Sequence, residues 1–469
     1  AEANPLPLGW EKSMAPGWGQ NGKQLHGMLG DGKGIPVTRW CVSKKDLRFL
    51  RATIKTAIAD GTIQPTEGHA FDPADDIFGP NMYAVCGQYI KPLTKAAGSM
   101  SWALMRNPEG LECDLFITHA WIEGTFAFID KVLASWPFGK KACYICMLSN
   151  PQNLDIGTLI ETPHDSPFAL CLCSASCMLV VPNSHASIYS RLWCVYEAWY
   201  AFEKKKVIMT ANAPVGRKVW TAILILFVPF ALGVAGVVAM MGDDETTSVV
   251  NGIPAECILN EYFPDYIGCS FLAVATKLLT FKFVSSRKTK SEGWRSKYIS
   301  PFPFLRICNV LGAFMSGHLG ASTAKHFNDC ISSGSHVIVS HLAFGLTSAC
   351  YFFGSEADRV FEYQKSIEAA RLHNKFTTVA EARCSDPDDM ESIKREIKDQ
   401  MADVDMCISV LMASGMSTPE LRLAASRGVN LKRSASMSIS NACFCIGASV
   451  RNIVIVFILF DEDVPTMEV

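Results

Sequence analysis

The sequence has almost no net charge: 43 Lys and Arg stand against 45 Asp and Glu, for a formal charge of -2. That balance excludes the basic surface a nucleic-acid-binding protein needs. It also lacks paired Cys-x-x-Cys motifs with partner histidines, which removes a structural zinc site from consideration. The 18 cysteines sit mostly in apolar runs such as Cys143–Cys146 and Cys171–Cys173. Such cysteines read as small core residues, kept reduced on a cytosolic face. Residues 1–36 contain no secretory apolar segment and are rich in Gly, Pro, Trp and Asn, so they are expected to be mostly disordered. The sequence starts with Ala1 rather than Met, which fits a fragment or a processed chain.

What is abundant is hydrophobic residue, 49% of the chain, and this directs attention to membrane spans. Val219–Met241 carries no charge and, at about 1.5 Å per residue, is long enough to cross a ~30 Å hydrocarbon core. Arg217 and Lys218 precede it. The acidic stretch 242–265 follows without a basic residue, and then an apolar segment over about 266–284 leads to Arg287, Lys288 and Lys290. This asymmetry places the N-terminal part in the cytosol. Further spans are expected near 302–319 and 336–353, giving a helical transmembrane bundle of about four helices over 216–354. Lys277 is the charge at depth in the second span, and intramembrane charges are functional candidates.

Ahead of the spans, 37–215 reads as an α/β domain. Asp46–Ala59 has helical apolar spacing through Leu47, Leu50, Ile54 and Ile58. The runs Cys113–Thr118, Ala142–Leu148, Cys177–Val181 and Lys206–Met209 read as strands, with helices over Thr125–Ser135 and from Ser187. Strands that are apolar on both faces and alternate with helices imply a covered parallel sheet. Functional groups then gather at the strand carboxyl ends, here Thr118-His119-Ala120-Trp121, Ser149-Asn150 and Pro182-Asn183-Ser184. In the last helix, Glu197 has Trp193, Cys194, Tyr200 and Ala201 as helical neighbours and no basic residue three or four positions away. No local ion pair accounts for it, whereas Glu203 sits beside Lys204 and Lys205 as a solvated charge.

Three stretches resemble the TIR-like domain family, in a membrane-anchored variant of unicellular eukaryotes. These are Asp114–His119 as a first strand, Cys177–Asn183 as the strand before the signature helix, and Ser190-Arg-Leu-Trp-Cys-Val-Tyr-Glu197 as that helix. The likeness covers about residues 110–210. It implies a flavodoxin-like parallel sheet, shortened here because Met209 lies so close to the first span that the family's last strand and helix find no room. It also implies cleavage of NAD at the nicotinamide–ribose bond, with Glu197 as the catalytic carboxylate. Thr118, His119, Trp121 and Trp193 would bind the substrate, with no cofactor and no metal required. Many family members instead act without catalysis, as adaptors or scaffolds that self-associate. A membrane transporter or channel with a cytosolic regulatory domain is the remaining alternative. Partners are then the lipid bilayer and other copies of the domain, and the location is integral to a membrane, multi-pass.

Beyond the spans, 355–431 is expected to form a small cytosolic α/β module. It has a charged helix over Glu362–His373, a helix begun by Asp386-Pro387, a strand over Asp405–Leu411 and a helix over Pro419–Arg427. The tail 432–469 carries Ser436 in a Lys432-Arg433-Ser-Ala-Ser context that basophilic kinases modify. Its apolar run over 442–460, broken by Arg451, is expected to be a fifth span, a membrane-surface helix or a buried strand.

Overall fold

A computed structural model describes residues 10–30, 32–239, 249–250, 253–254, 268–276, 278–279, 302–325, 337–384, 386–429 and 431. Lys277, Ser436 and the 442–460 run lie outside them. The chain divides into two units, one holding the residues up to Pro214 together with Lys365–Leu431, the other holding Val215–Gln364.

The first unit is built on a six-stranded sheet. Its strands are β1 (Val42–Ser43), β2 (Leu115–Thr118), β3 (Ala142–Tyr144), β4 (Cys177–Val180), β5 (Val207–Thr210) and β6 (Met416–Ser417). The spatial order is β1-β3-β2-β4-β5-β6. The central four are parallel, and the two edge strands run antiparallel to them. Side chains of the central strands alternate between two cores. Leu115, Ile117, Cys177 and Leu179 face one; Phe116, Met178 and Val180 face the other.

The first core is covered by α1 (Lys44–Ala59) and α2 (Thr125–Ala134). A reciprocal capping box starts α1: Ser43 Oγ accepts from the Asp46 amide and Asp46 accepts from the Ser43 amide. Leu47, Leu50 and Ile54 are buried at the helical period read from the sequence, while Ala57 is buried and the expected Ile58 is only half-buried. Residues 10–36, expected to be mostly disordered, are instead tied to this layer where the structure describes them. The Gly17 amide donates to Met105 O and the Gly22 amide to Gly98 O, while His26 Nε2 accepts from the Ser101 amide at 3.0 Å. A Gly- and Pro-rich composition hides such pairing, because much of it is made by backbone, with a few side chains such as Trp10, Trp18 and Leu25 packing on the core.

The second core lies between the sheet and α3 (Pro167–Ser174) and α4 (Leu192–Glu203). Packed with them are three helices from beyond the apolar region: α8 (Pro387–Ile397), α9 (Met401–Ser414) and α10 (Pro419–Ser426). Where the sequence reading set 355–431 apart as a module, residues 365–431 here join the sheet's own unit. The strand expected over Asp405–Leu411 is corrected to helix. Val404, Cys407, Ile408 and Leu411 recur at helical spacing and are buried together, and the helix ends at left-handed Gly415. Periodicity alone does not separate a short buried helix from a buried strand. The sheet edge left vacant after β5 is filled by β6, with Ile208 opposite Ser417 and Met209 opposite Met416.

The second unit contains α5 (Gly216–Ala239), α6 (Phe302–Lys325) and the first part of α7 (Val337–His373). Among the described residues, one helix, Gly216–Val237, is long and apolar enough to cross a membrane. The expected four-helix, multi-pass bundle is therefore not supported. The segment expected as a third span carries Arg306, Asn309, Ser316 and His318, and α7 runs on past Phe353 through Glu356, Asp358 and Arg359. The contact of α5 with α6 depends on glycine. A Cβ on Gly233 would lie 2.2 Å from Phe314 O, and one on Gly317 would lie 2.2 Å from Phe230 O. Small residues that let helix backbones meet are typical of packing in lipid.

Candidate functional site

The site forms where β2 and β4 end. Thr118 is the last residue of β2, and the chain then turns through His119–Gly124 into α2. After β4, residues 181–187 lead into a 3-10 turn, Ile188–Ser190, started by Ser187, whose Oγ accepts from the Tyr189 amide at 3.2 Å. Arg191 is the N-cap of α4, and two turns into that helix Glu197 points back towards Thr118.

Glu197 is 8% exposed, and its Oε2 has no hydrogen-bond partner. Burial pushes the carboxyl up to about 7; the Thr118 hydroxyl and the Arg191 charge pull against that rise without cancelling it. Thr118 is itself buried, with its hydroxyl lacking a partner of hydrogen-bonding geometry. His119 is buried beside them. Burial, and then Arg191, holds its pKa down to about 3, so the ring is neutral. Its Nε2 lies 3.6 Å from Cys146 Sγ, its Nδ1 is unpartnered and its ring packs 4.9 Å from Phe128. Trp121 is half-buried and donates from Nε1 to Cys146 Sγ at 3.3 Å, and its ring lies 5.3 Å from Tyr83.

Three residues that the motif reading did not single out complete the group. Burial, and then the neighbouring Glu197, pushes the Cys194 thiol up to about 12, and its Sγ donates to His119 O at 3.7 Å. Cys146 is likewise pushed up to about 12 by burial, against the Trp121 N–H. Both are neutral thiols rather than nucleophiles. Arg191 loses hydration on burial, which alone would lower its pKa. The surrounding Cys194, Tyr83, Cys146 and Glu197 more than offset this. The search for a basic partner three or four positions from Glu197 missed Arg191, which is six positions back. It reaches the site because it caps the helix rather than lying on its face. Cys146 was hidden inside the expected strand Ala142–Leu148. That strand stops at Tyr144, and the chain turns into the short helix Cys146–Ser149, where Ser149 Oγ accepts from the Ile145 amide.

Of the five residues singled out from the motif, Glu197, Thr118, His119 and Trp121 fall in one group. Trp193 is placed elsewhere. Its indole N–H donates to Asp389 Oδ2 at 3.0 Å, and its ring packs 5.1 Å from Phe168, between α4 and α8. The group is closed over, with Thr118 at 1% and His119 at 5% exposure.

A second buried polar cluster holds the loops that frame this group. Lys131 of α2 donates to Glu123 Oε1 at 3.2 Å and to Pro182 O at 2.6 Å, and lies 3.5 Å from Glu368 Oε2. Glu123 Oε2 accepts from the Ser184 amide at 3.0 Å, and Arg371 donates to Glu368 at 2.8 Å. The network thus joins the loops after β2 and β4 to the end of α7. Next to it, Asn374 Nδ2 donates to His185 O, the Ser187 amide donates to Asn374 O, and the Leu192 and Arg383 amides pair with Arg383 O and Ser190 O. The approach to α4 is therefore clamped on both sides.

Among the described residues, no group of three or more His, Cys, Asp and Glu side chains is placed to hold a metal ion. Comparison of the chain with protein-family models, with curated proteins and with solved structures finds no match.

Proposed function

We propose that this is a membrane-anchored, TIR-like signalling protein whose Glu197 site cleaves NAD at the nicotinamide–ribose bond. The observation that carries the reading is the buried, unpartnered Glu197 oxygen at the carboxyl ends of parallel strands, with the carboxyl held at about 7. Structural carboxylates are normally paired when buried, and perturbed groups at such strand ends concentrate at functional sites. In the reaction the bond from ribose C1′ to the pyridinium nitrogen breaks, and its electron pair leaves with neutral nicotinamide. The resulting oxocarbenium-like ribose is stabilised by the ionised Glu197. Water adds at C1′ and releases a proton, giving ADP-ribose. Thr118 and Arg191 orient the carboxylate, and Trp121 and Tyr83 offer ring faces to a flat heterocycle. Helix α5 supplies the anchor, with Arg217 and Lys218 marking the cytosolic end.

The closed state of the group favours a second reading, an adaptor that self-associates through the exposed Ile77, Phe78, Tyr83 and Ile122. Nicotinamide release from NAD by the full chain in liposomes, beside Glu197→Ala, separates the two. Release that the substitution abolishes supports the enzyme. A folded chain that releases none, even when clustered, leaves the adaptor.

A further inference from the structure

The first core carries a cleft of about 550 Å³ on the face of α1, remote in sequence from the Glu197 motif. Its size is that of a small-molecule site. Trp10, Met14, Phe49, Tyr89, Pro92 and Leu93 form apolar walls, and Thr53, Thr56, Asp60, Thr62 and Gln88 supply the polar atoms. Trp10 and Phe49 meet edge to face at 5.2 Å, so two ring surfaces are fixed at a large angle around the cleft.

The polar lining is almost entirely committed. Thr53 donates to Leu50 O and Thr56 to Ala52 O. Gln88 is held at both ends by Gln64, accepting from its amide and donating to its carbonyl. Asp60 is an exposed carboxylate at the rim and the one charged side chain of the lining. Its Oδ1 accepts from the Thr62 amide at 2.9 Å, and the Thr62 hydroxyl and amide keep its carboxyl ionised below the usual carboxylate range. Burial raises the Tyr89 phenol against a hydrogen bond with Thr53, the Asp60 charge adding a smaller push upward, and both side chains line the cleft. The lining includes no Lys, Arg or His. Arg106 does stack on Phe49, 4.1 Å from its centroid, but its charge is matched by Asp46 at 3.1 Å.

We propose that this cleft binds an organic cation, an ammonium group carried on an aromatic body. The ring body would fill the space among Trp10, Phe49 and Leu93. The ammonium would lie between the Tyr89 and Trp10 ring faces and the Asp60 carboxylate, where ring quadrupole and full charge act together. An anion would be repelled by Asp60 and find no cation in the lining, and a neutral analogue would gain nothing from that exposed carboxylate. The inference does not depend on the chemistry of Glu197.

The test is a set of three isosteric probes, phenethylamine, phenethyl alcohol and phenylacetate. Each is titrated into the full chain in detergent micelles and followed by ligand-observed NMR. The amine is expected to bind about tenfold more tightly than the alcohol, with phenylacetate weakest. Asp60→Asn, which keeps an acceptor for the Thr62 amide, is expected to remove the preference for the amine without changing the melting temperature. Trp10→Ala is expected to weaken the amine and the alcohol alike. Equal binding of all three probes, a preference that survives Asp60→Asn, or no binding of the amine at millimolar concentration would overturn the proposal.

Discussion

Two clusters of buried polar groups sit side by side at the ends of the same strands, and they differ in one respect. In the first, Lys131 is matched by Glu123, Glu368 and the Pro182 carbonyl, and Glu123 and Glu368 take further donors from Ser184 and Arg371. In the second, Glu197 Oε2 and His119 Nδ1 are buried without a hydrogen-bond partner, and Thr118 and the Arg191 charge only partly offset the burial of the carboxyl. Desolvating charge is costly unless it is paired and hydrogen-bonded. The first cluster meets that condition and fixes the loops. The second meets it less fully: Arg191 and Thr118 offset part of the cost of burying Glu197, and its carboxyl stays at about 7. On the proposed function, this less fully paired set is the one a substrate would complete.

The largest effect that would break this comparison lies in the paired cluster. Lys131→Met should destabilise the first unit by about 3–5 kcal/mol, because buried Glu123 loses its cation and Glu368 keeps only Arg371. Denaturant unfolding would measure it, and a loss below about 1 kcal/mol would mean that the network is not structural.

The neutral histidines come next. His119 and His26 are both held down to about 3 by burial, against roughly 6.5 in an unfolded chain. A depressed folded pKa gives stability that is present above about 6.5 and lost as pH falls towards 3. Each ring weakens the fold by roughly 1.4 kcal/mol per pH unit over that window, as an upper bound. His119→Gln should flatten the acid limb of a stability profile. An unchanged slope would show that the ring is hydrated.

Glu197 has the opposite sign. Its folded pKa is raised, so the neutral form is favoured; that stability is complete below about 4.5 and is lost as pH rises through about 7. Glu197→Gln should therefore leave stability unchanged at pH 4 and raise it by about 3 kcal/mol at pH 8, while abolishing the proposed NAD cleavage. A variant less stable than the parent at pH 8 would mean that the carboxylate is paired after all. The smallest effect is expected at Trp193→Phe, which removes one hydrogen bond to Asp389. It should cost about 1 kcal/mol and leave the pH dependence of Glu197 unaltered.

The same contrast explains what could be read from the sequence. Local signals carried β2, β4, β5, α1, α2 and α4, because each is a run whose apolar period matches its element. The four grouped residues followed from strand ends and one motif. What escaped is what the chain brings from far away. The Lys131–Glu368 pair, β6 on the sheet edge and the packing of α8 and α9 over α4 all join segments separated by the apolar region. No period or spacing encodes such contacts. Trp193 shows the cost of that blindness. Beside Glu197 in sequence, it reads as a substrate-facing ring, yet Asp389, nearly two hundred residues on, draws it into the packing.

The central claim, that the unpartnered carboxyl is there for chemistry, is tested most directly by the pH profile of nicotinamide release from NAD. The full chain and Glu197→Gln would be compared between about pH 5.5 and 8.5, a range bracketing the Glu197 titration. Release that rises to half its maximum near pH 7 in the parent and is absent from the variant is the predicted result. Equal release from both, or none from a folded parent chain at any pH, would contradict it.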